Sequence, residues 1–174
     1  MNWALYYCDF GRYGSPLRSG VAEYASDVNI AYKREALMSV REVWLDAYRE
    51  TIVNWTLRAR GEKIFLDPRM RVEQHRPLMT LSEAYRERIK WGRMFAETRV
   101  LTCSLQRRVL YALGVVLLPP LLTMRVFSHM SRQKRSLKQI ATSLPLAALL
   151  LSGWAVGELL GYSHRFAENN CRQQ

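Results

Sequence analysis

The sequence is poor in the residues and motifs that mark disulfide-linked, zinc-binding and motif-defined catalytic proteins. Its three cysteines are Cys8, Cys103 and Cys171, and no two of them form a C-x-x-C pair. An odd number of cysteines at wide spacing supports neither a disulfide framework nor a zinc site. The chain also lacks a glycine-rich phosphate loop, an H-E-x-x-H motif and a G-x-S-x-G motif. These absences argue against P-loop nucleotide hydrolases, zinc proteases and α/β-hydrolases.

Acidic residues are also scarce, particularly in the middle of the chain. There are 15 Asp and Glu against 26 Lys and Arg, which gives a formal charge of +11. Residues 79–140 hold 12 of the basic residues but only three acids. Such an excess suits a polyanionic partner, either nucleic acid or an anionic membrane surface. Because the basic block flanks and separates apolar segments, the sequence favours membrane lipids as the partner and predicts no nucleic acid.

Two uncharged, leucine-rich segments lie in the last third of the chain. The first covers residues 109–124, roughly 24 Å as a helix, and contains Pro119 and Pro120, which are expected to kink or break it. The second covers residues 139–157, roughly 28 Å as a helix, which is just enough to cross a hydrocarbon core of roughly 30 Å. Trp154 lies where an interfacial anchor belongs. The sequence therefore predicts attachment to a membrane.

The loop between the two segments, residues 125–138, is strongly basic and has no acid. Basic loops tend to stay in the cytoplasm, whereas two full crossings after a cytoplasmic domain would place this loop outside. A re-entrant or in-plane hairpin broken at Pro119-Pro120 removes the conflict. Two crossings, a re-entrant hairpin and a soluble all-helical core all stay open at this point.

Residues 1–78 have the pattern of a small α/β region. Clustered glycines indicate a loop over residues 1–20. Residues 28–32 and 63–68 have the pattern of short strands, and apolar residues recur at helical spacing over residues 33–60 between them. The order loop, strand, helix, strand predicts an α/β fragment.

Residues 79–106 have the pattern of a basic amphipathic helix. An apolar stripe recurs at helical spacing, while Arg86 and Lys90 lie off it. Beside a membrane segment such a helix is predicted to lie at the interface; the alternative is an ordinary helix that packs its stripe on the domain. The sequence thus predicts three parts, which are the α/β region 1–78, the interfacial helix 79–106 and a membrane-associated helical hairpin with its tail, 107–174.

Glu50 is a candidate general base. Its neighbours on the predicted helix, Tyr48, Ile52 and Trp55, are apolar or aromatic. A carboxylate among such residues can be desolvated enough to accept a proton from a substrate. A solvated helix glutamate is the ordinary alternative.

His75 is a candidate metal ligand. It follows a short extended segment, and histidines at strand ends can bind metals. No second ligand stands at a diagnostic spacing from it, so a plain polar role is the alternative.

Five stretches together resemble, in the right order, the C-terminal part of family 2 glycosyltransferases, which are bacterial membrane-associated enzymes with a GT-A nucleotide-sugar domain. They are YYCDFGRYGSPLRSG (6–20), DVNIAYKREAL (27–37), AYRETIVNWTLRARGEKIFLDPRMRVEQHRP (47–77), RERIKWGRMFAETR (86–99) and LPLAALLLSGWAVGELLGY (144–162). The resemblance covers nearly all of the chain. It implies an α/β fold, namely the C-terminal part of a GT-A-like domain followed by an amphipathic helix and a two-segment membrane-associated hairpin.

The resemblance also implies roles for particular residues. Glu50 would be the catalytic carboxylate that deprotonates the acceptor hydroxyl as it attacks the anomeric carbon of the sugar. His75 would lie near the metal or the diphosphate. Arg88, Trp91 and Arg93 would hold the donor diphosphate or close the site from the interface; contact with lipid headgroups is the alternative for these three.

This sequence departs from the family in one respect. Complete enzymes of the family bind the nucleotide sugar in an N-terminal half, where a D-x-D motif holds a divalent metal, Mg or Mn, on the donor diphosphate. The chain contains no D-x-D. The resemblance therefore implies that this chain alone binds neither metal nor nucleotide sugar. A truncated reading frame, a degraded gene and one half of a split enzyme, which would act with a separate N-terminal donor-binding half, all stay open.

The expected function is that of the C-terminal fragment of a membrane glycosyltransferase, inactive by itself, on the cytoplasmic face of the cell inner membrane. The alternative is a non-enzymatic membrane-associated interaction protein.

Overall fold

The computed structural model describes residues 2–73, 75–101 and 103–171, and their side chains except at residue 27 and beyond residue 163. The chain divides into two compact units. The first, here called the helical unit, contains the first twelve residues together with the chain from Pro77 onward, and the second, the small unit, is Tyr13–Arg76.

Helices dominate the helical unit, whereas the small unit combines two short helices with two short strands and much irregular chain. The helices are α1 (Asn2–Phe10), α2 (Arg34–Ser39), α3 (Glu50–Ala59), α4 (Leu81–Val100), α5 (Leu105–Gly114), α6 (Leu118–Arg132) and α7 (Leu137–Cys171). Short 3-10 turns occur at Gly11–Tyr13, Asp27–Asn29, Arg41–Val43 and Val115–Leu117. The strands β1 (Gly20–Ala22) and β2 (Ile64–Leu66) pair antiparallel, with Val21 opposite Phe65.

The predicted α/β, GT-A-like fold is wrong. The structure is 68% helical and 4% strand, and the described residues contain one sheet of two strands. The predicted strand 28–32 begins in a 3-10 turn and continues as unpaired extended chain, and the predicted helix 33–60 is interrupted over residues 44–49. The two three-residue strands bond to each other, so the described part of the small unit contains no parallel sheet of the kind that a βαβ arrangement builds.

The predicted N-terminal loop is also wrong over its first half, because residues 2–10 form α1. Ala4, Leu5 and Tyr7 lie on one side of this helix and are buried. They share a core cluster with Leu150 and Met130. Burial of the apolar face of α1 in the core therefore stabilises residues 2–10 as a helix. The glycines on which the predicted loop was based follow the helix.

The α-helix is interrupted just before Pro119 and Pro120, although the chain stays helical through the 3-10 turn that precedes them. They occupy the first turn of α6, directly after the 3-10 turn Val115–Leu117. The first turn of a helix has no internal acceptor for its N–H groups, so a missing donor is tolerated there. Two helical stretches, Leu105–Arg132 and Leu137–Ser163, are consequently long and apolar enough to cross a membrane.

Helix α7 is the centre of the helical unit, since α1, α4, α5 and α6 all pack on it. Its N-terminal half contributes Ala147, Leu150 and Leu151 to the core cluster with α1, α4 and α6. Its C-terminal half contributes Ala155 and Tyr162 to a second cluster with α4, α5 and the turn that follows. The helical unit is therefore organised around one long helix.

Candidate functional site

Glu50 lies in the first turn of α3 in the small unit, close to a polar cluster. The Tyr32 hydroxyl donates to Asn54 Oδ1 over 2.9 Å. The same hydroxyl lies 3.1 Å from the Tyr48 hydroxyl, within hydrogen-bonding distance. Asn54 itself is buried.

The charge of Glu50 acts on this cluster. The pKa of Tyr32 is raised, first by burial of its ring, then by the hydrogen bond and charge of Tyr48, and further by the carboxylate of Glu50. The first turn of a helix favours a negative side chain, because backbone N–H groups point toward it. The small unit thus groups a carboxylate, two phenols and a carboxamide, which are suited to hydrogen bonding a hydroxylated ligand.

His75 lies in the same unit, beyond β2, and is exposed in a segment without regular secondary structure. Among residues 2–73, 75–101 and 103–171, no three His, Cys, Asp or Glu side chains are grouped so as to hold a metal ion. The side chains described here therefore offer no ligand set for the Mg or Mn that the resemblance implies, and no step proposed below uses a metal.

Arg88 lies in the helical unit and is 1% exposed. Its guanidinium forms a bidentate pair with Asp9 of α1, through Nη1 to Oδ1 and through Nη2 to Oδ2 at 3.0 Å. It also lies 4.7 Å from the centre of the Trp91 ring. Burial raises the pKa of the neighbouring Cys8 thiol to about 12, an effect that the Arg88 charge partly offsets. The Arg88 charge is thus directed into the interior.

Trp91 and Arg93 are more accessible than Arg88. Trp91 is exposed, and Arg93 Nε donates to Glu97 Oε1 over 2.8 Å along the surface of α4. The three residues predicted to hold a diphosphate therefore differ, since Arg88 is enclosed whereas Trp91 and Arg93 reach the surface. Glu50 and His75 belong to the small unit, and these three belong to the helical unit.

A polar network within the helical unit was not predicted from the sequence. Glu158 of α7 is 3% exposed. Its carboxylate accepts hydrogen bonds from Trp154 Nε1 over 2.6 Å and from the Tyr162 hydroxyl over 2.9 Å. Arg99 of α4 donates to the same Tyr162 hydroxyl over 2.9 Å. The spacing of Trp154, Glu158 and Tyr162 by four residues is the signal that could have revealed the network.

The network extends to α5 through Arg108, whose guanidinium donates to the Tyr162 carbonyl oxygen over 2.7 Å from Nε. Arg99 stacks on the Phe95 and Tyr111 rings, 4.5 and 4.8 Å from their centres. A buried carboxylate is thus balanced by a nearby guanidinium and by neutral donors, as buried charges must be. The network joins α4, α5 and α7.

The fold and these contacts define a mostly helical protein with two helical stretches apolar enough for a membrane. Comparison with protein families, curated proteins and solved structures found no match.

Proposed function

We propose that this chain is the membrane-bound part of a glycosyltransferase, which transfers a sugar from a nucleotide-sugar donor to an acceptor hydroxyl when a separate donor-binding half is present. The proposal places it on the cytoplasmic face of the cell inner membrane, with the basic loop 125–138 against anionic headgroups. The observation that carries the membrane part of the proposal is the exposed apolar surface of Leu105–Arg132.

That surface distinguishes the stretch from the core helix of a soluble protein. Only 11% of its most apolar window is buried, against 39% for Leu137–Ser163. Leu113 and Val116 are 73% and 79% exposed. A soluble protein rarely leaves a continuous apolar surface of this length in water, whereas a bilayer covers it.

The sugar-transfer part rests on the ordered motifs and on the setting of Glu50. Its carboxylate would take the proton of the acceptor hydroxyl as that oxygen attacks the anomeric carbon. Tyr48 is exposed, and its phenol and the Tyr32 phenol would orient the acceptor. Donor binding belongs to the separate donor-binding half in this proposal.

One observation favours the non-enzymatic alternative. Arg88, predicted to bind the donor diphosphate, is enclosed and occupied by Asp9. A residue in that state stabilises the packing of α1 on α4 and does not recruit a substrate. The non-enzymatic alternative predicts that the sugar-transfer assay described below detects no transfer.

Removing charge from the basic loop should weaken binding to anionic membranes. Each Lys or Arg near such a surface contributes about 1 kcal/mol, so the triple variant Arg132→Gln, Lys134→Gln, Lys138→Gln is expected to lose roughly 100-fold in affinity. Co-sedimentation with vesicles of phosphatidylcholine and phosphatidylglycerol at 7:3 measures this.

A matched variant removes three exposed charges from the small unit, by Arg18→Gln, Arg34→Gln and Arg41→Gln. It should bind the same vesicles within about threefold of the unchanged chain, because the proposal assigns the binding of anionic headgroups to residues 125–138. Equal losses for both variants would show that overall charge, and not the basic loop, sets the affinity.

Sugar transfer should require both a donor-binding half and Glu50. The assay coexpresses the chain with the polypeptide encoded directly upstream of Met1 and follows transfer of label from nucleotide sugars to the membrane fraction. The chain alone is expected to transfer nothing, and Glu50→Gln should lower transfer by the pair at least roughly 100-fold, since a positioned base contributes that much or more.

Glu35→Gln is the matched control, because Glu35 lies in the first turn of α2 and is exposed; it should leave transfer unchanged. Hydrolysis of a nucleotide sugar by the chain alone, abolished by Glu50→Gln, would contradict its dependence on a second half. Absence of transfer by the pair would favour the non-enzymatic alternative.

A further inference from the structure

Helix α4 lies in close backbone contact with the C-terminal half of α7. A side chain at Gly153 would lie 2.9 Å from the Tyr85 ring, one at Gly157 would collide with the Ile89 carbonyl oxygen, and one at Gly161 would lie 2.7 Å from Ala96 Cβ. These glycines are four residues apart and face one side of α7.

The contacts also show in which direction α4 runs and which part of α7 it lies beside. Residue numbers rise together on the two helices, from Tyr85 at Gly153 to Ile89 at Gly157, so the helices run parallel. The midpoint of Leu137–Ser163 is residue 150, and Gly153 is only about 4.5 Å further along the axis. The first turns of α4 therefore lie beside the middle of the second apolar stretch.

Those turns of α4 are charged and open to solvent. Arg86 and Lys90 are exposed, and the helix begins with an exposed capping box in which Thr80 and Glu83 bond to each other's backbone N–H groups. If Leu137–Ser163 crossed a bilayer, these groups would lie in or near the hydrocarbon centre. Charged side chains at that depth are strongly disfavoured.

The exposed apolar surface of α5 and α6 has a different character. Leu113, Val116, Leu117, Leu121 and Met124 are all more than half exposed and recur at helical spacing. The basic segment predicted as a loop, residues 125–138, forms the last turns of α6, a short turn at residues 133–136 and the start of α7. This combination of a long apolar surface and adjacent cations is typical of helices that lie in the plane of an anionic membrane.

We propose that the helical unit lies within one leaflet of an anionic bilayer and that neither apolar stretch crosses it. The exposed surface of α5 and α6 enters the boundary between headgroups and acyl chains, the basic loop binds anionic headgroups, and the charged face of α4 stays in water. This inference rests on the membrane attachment stated under Proposed function. It adds how the helical unit is oriented in the bilayer.

Labelling of single cysteines from each side of the membrane tests this arrangement. The native cysteines are first replaced by Cys8→Ala, Cys103→Ser and Cys171→Ser, and circular dichroism and membrane sedimentation confirm that this background folds and binds. Four probes are then introduced singly at the ends of the two stretches, by Gln106→Cys, Ser131→Cys, Ser136→Cys and Ser163→Cys.

All four probes should react with a membrane-impermeant maleimide in inverted inner-membrane vesicles. In right-side-out vesicles none should react until detergent is added. Labelling of Gln106→Cys and Ser131→Cys from opposite sides would overturn the arrangement for the first stretch, and labelling of Ser136→Cys and Ser163→Cys from opposite sides would overturn it for the second.

The result also separates this inference from the attachment on which it rests. Recovery of the chain in the soluble fraction, with no membrane-bound pool, would refute attachment itself. A membrane-bound chain with probes on both sides would keep attachment and refute the in-plane arrangement.

Discussion

Substituting leucine for Gly157 is expected to separate α4 from α7 and to unfold the helical unit at a much lower temperature. The new side chain would collide with the Ile89 carbonyl oxygen and would lie 2.8 Å from the Arg93 backbone nitrogen. Both are backbone atoms of a helix, so no side-chain rotation can relieve the clash. Overpacking a well-packed interior typically costs about 1–3 kcal/mol, and we expect the upper end or more here.

The measurement is thermal unfolding in detergent, followed by circular dichroism and by the fluorescence of the tryptophans. A loss of about 3 kcal/mol corresponds to a fall in Tm of roughly 6–12 °C for a chain of this size. Gly114→Leu is the matched control, because a side chain at Gly114 meets nothing within 4 Å. Similar Tm values for the two variants would show that α4 and α7 are not in backbone contact.

Removing the carboxylate of Asp9 should be at least as damaging. Arg88 would keep a buried guanidinium with its bidentate partner gone, leaving Glu87 at 3.8 Å as its remaining ion-pair partner. Breaking a buried ion pair by deleting one partner costs about 3–5 kcal/mol, because the other charge stays desolvated. Asp9→Ala is therefore expected to release α1 from α4, and proteolysis at the N-terminal end provides a second readout.

Two further variants identify the cause of that loss. Glu97→Ala removes the partner of Arg93 in a pair exposed at the surface of α4, and it should cost no more than about 0.5 kcal/mol. The double variant Asp9→Leu, Arg88→Met replaces the buried pair by apolar groups of similar size and should recover most of the stability. A double variant as unstable as Asp9→Ala would indicate that the charge on Arg88 is not the reason.

The contrast between these two arginines shows what local pattern predicts and what it misses. Arg93 lies off the apolar stripe of its helix and reaches the surface, as periodicity suggests. Arg88 is enclosed because Asp9 arrives from a helix 79 positions away in sequence. Its spacing of four residues from the buried Ala84 and Gly92 already places Arg88 on the packed face of α4, whereas no spacing rule within residues 79–106 identifies Asp9 as the partner of its charge.

Missing information about long-range partners also explains why the predicted α/β fold is wrong. Residues 28–32 and 63–68 have strand-like composition, but a strand forms only where a second strand is available along its length. Residues 64–66 find three partners in residues 20–22, and residues 28–32 find no strand partner. Helical periodicity predicted the secondary structure better than strand-like composition did. An α-helix forms its hydrogen bonds within one segment, so it needs only a surface on which its apolar face can pack. The apolar content of residues 139–157 was sufficient to predict a long helix there.

The helical unit is discontinuous in sequence, and this affects how the protein can be made. Helix α1 packs on α7, and Cys8 lies against the Ala147 carbonyl oxygen 139 residues later. During synthesis α1 leaves the ribosome well before α7, the helix on which it packs, has been translated. Over that interval the apolar face of α1 is open to chaperones and to lipid, so early capture by a membrane would protect it from aggregation.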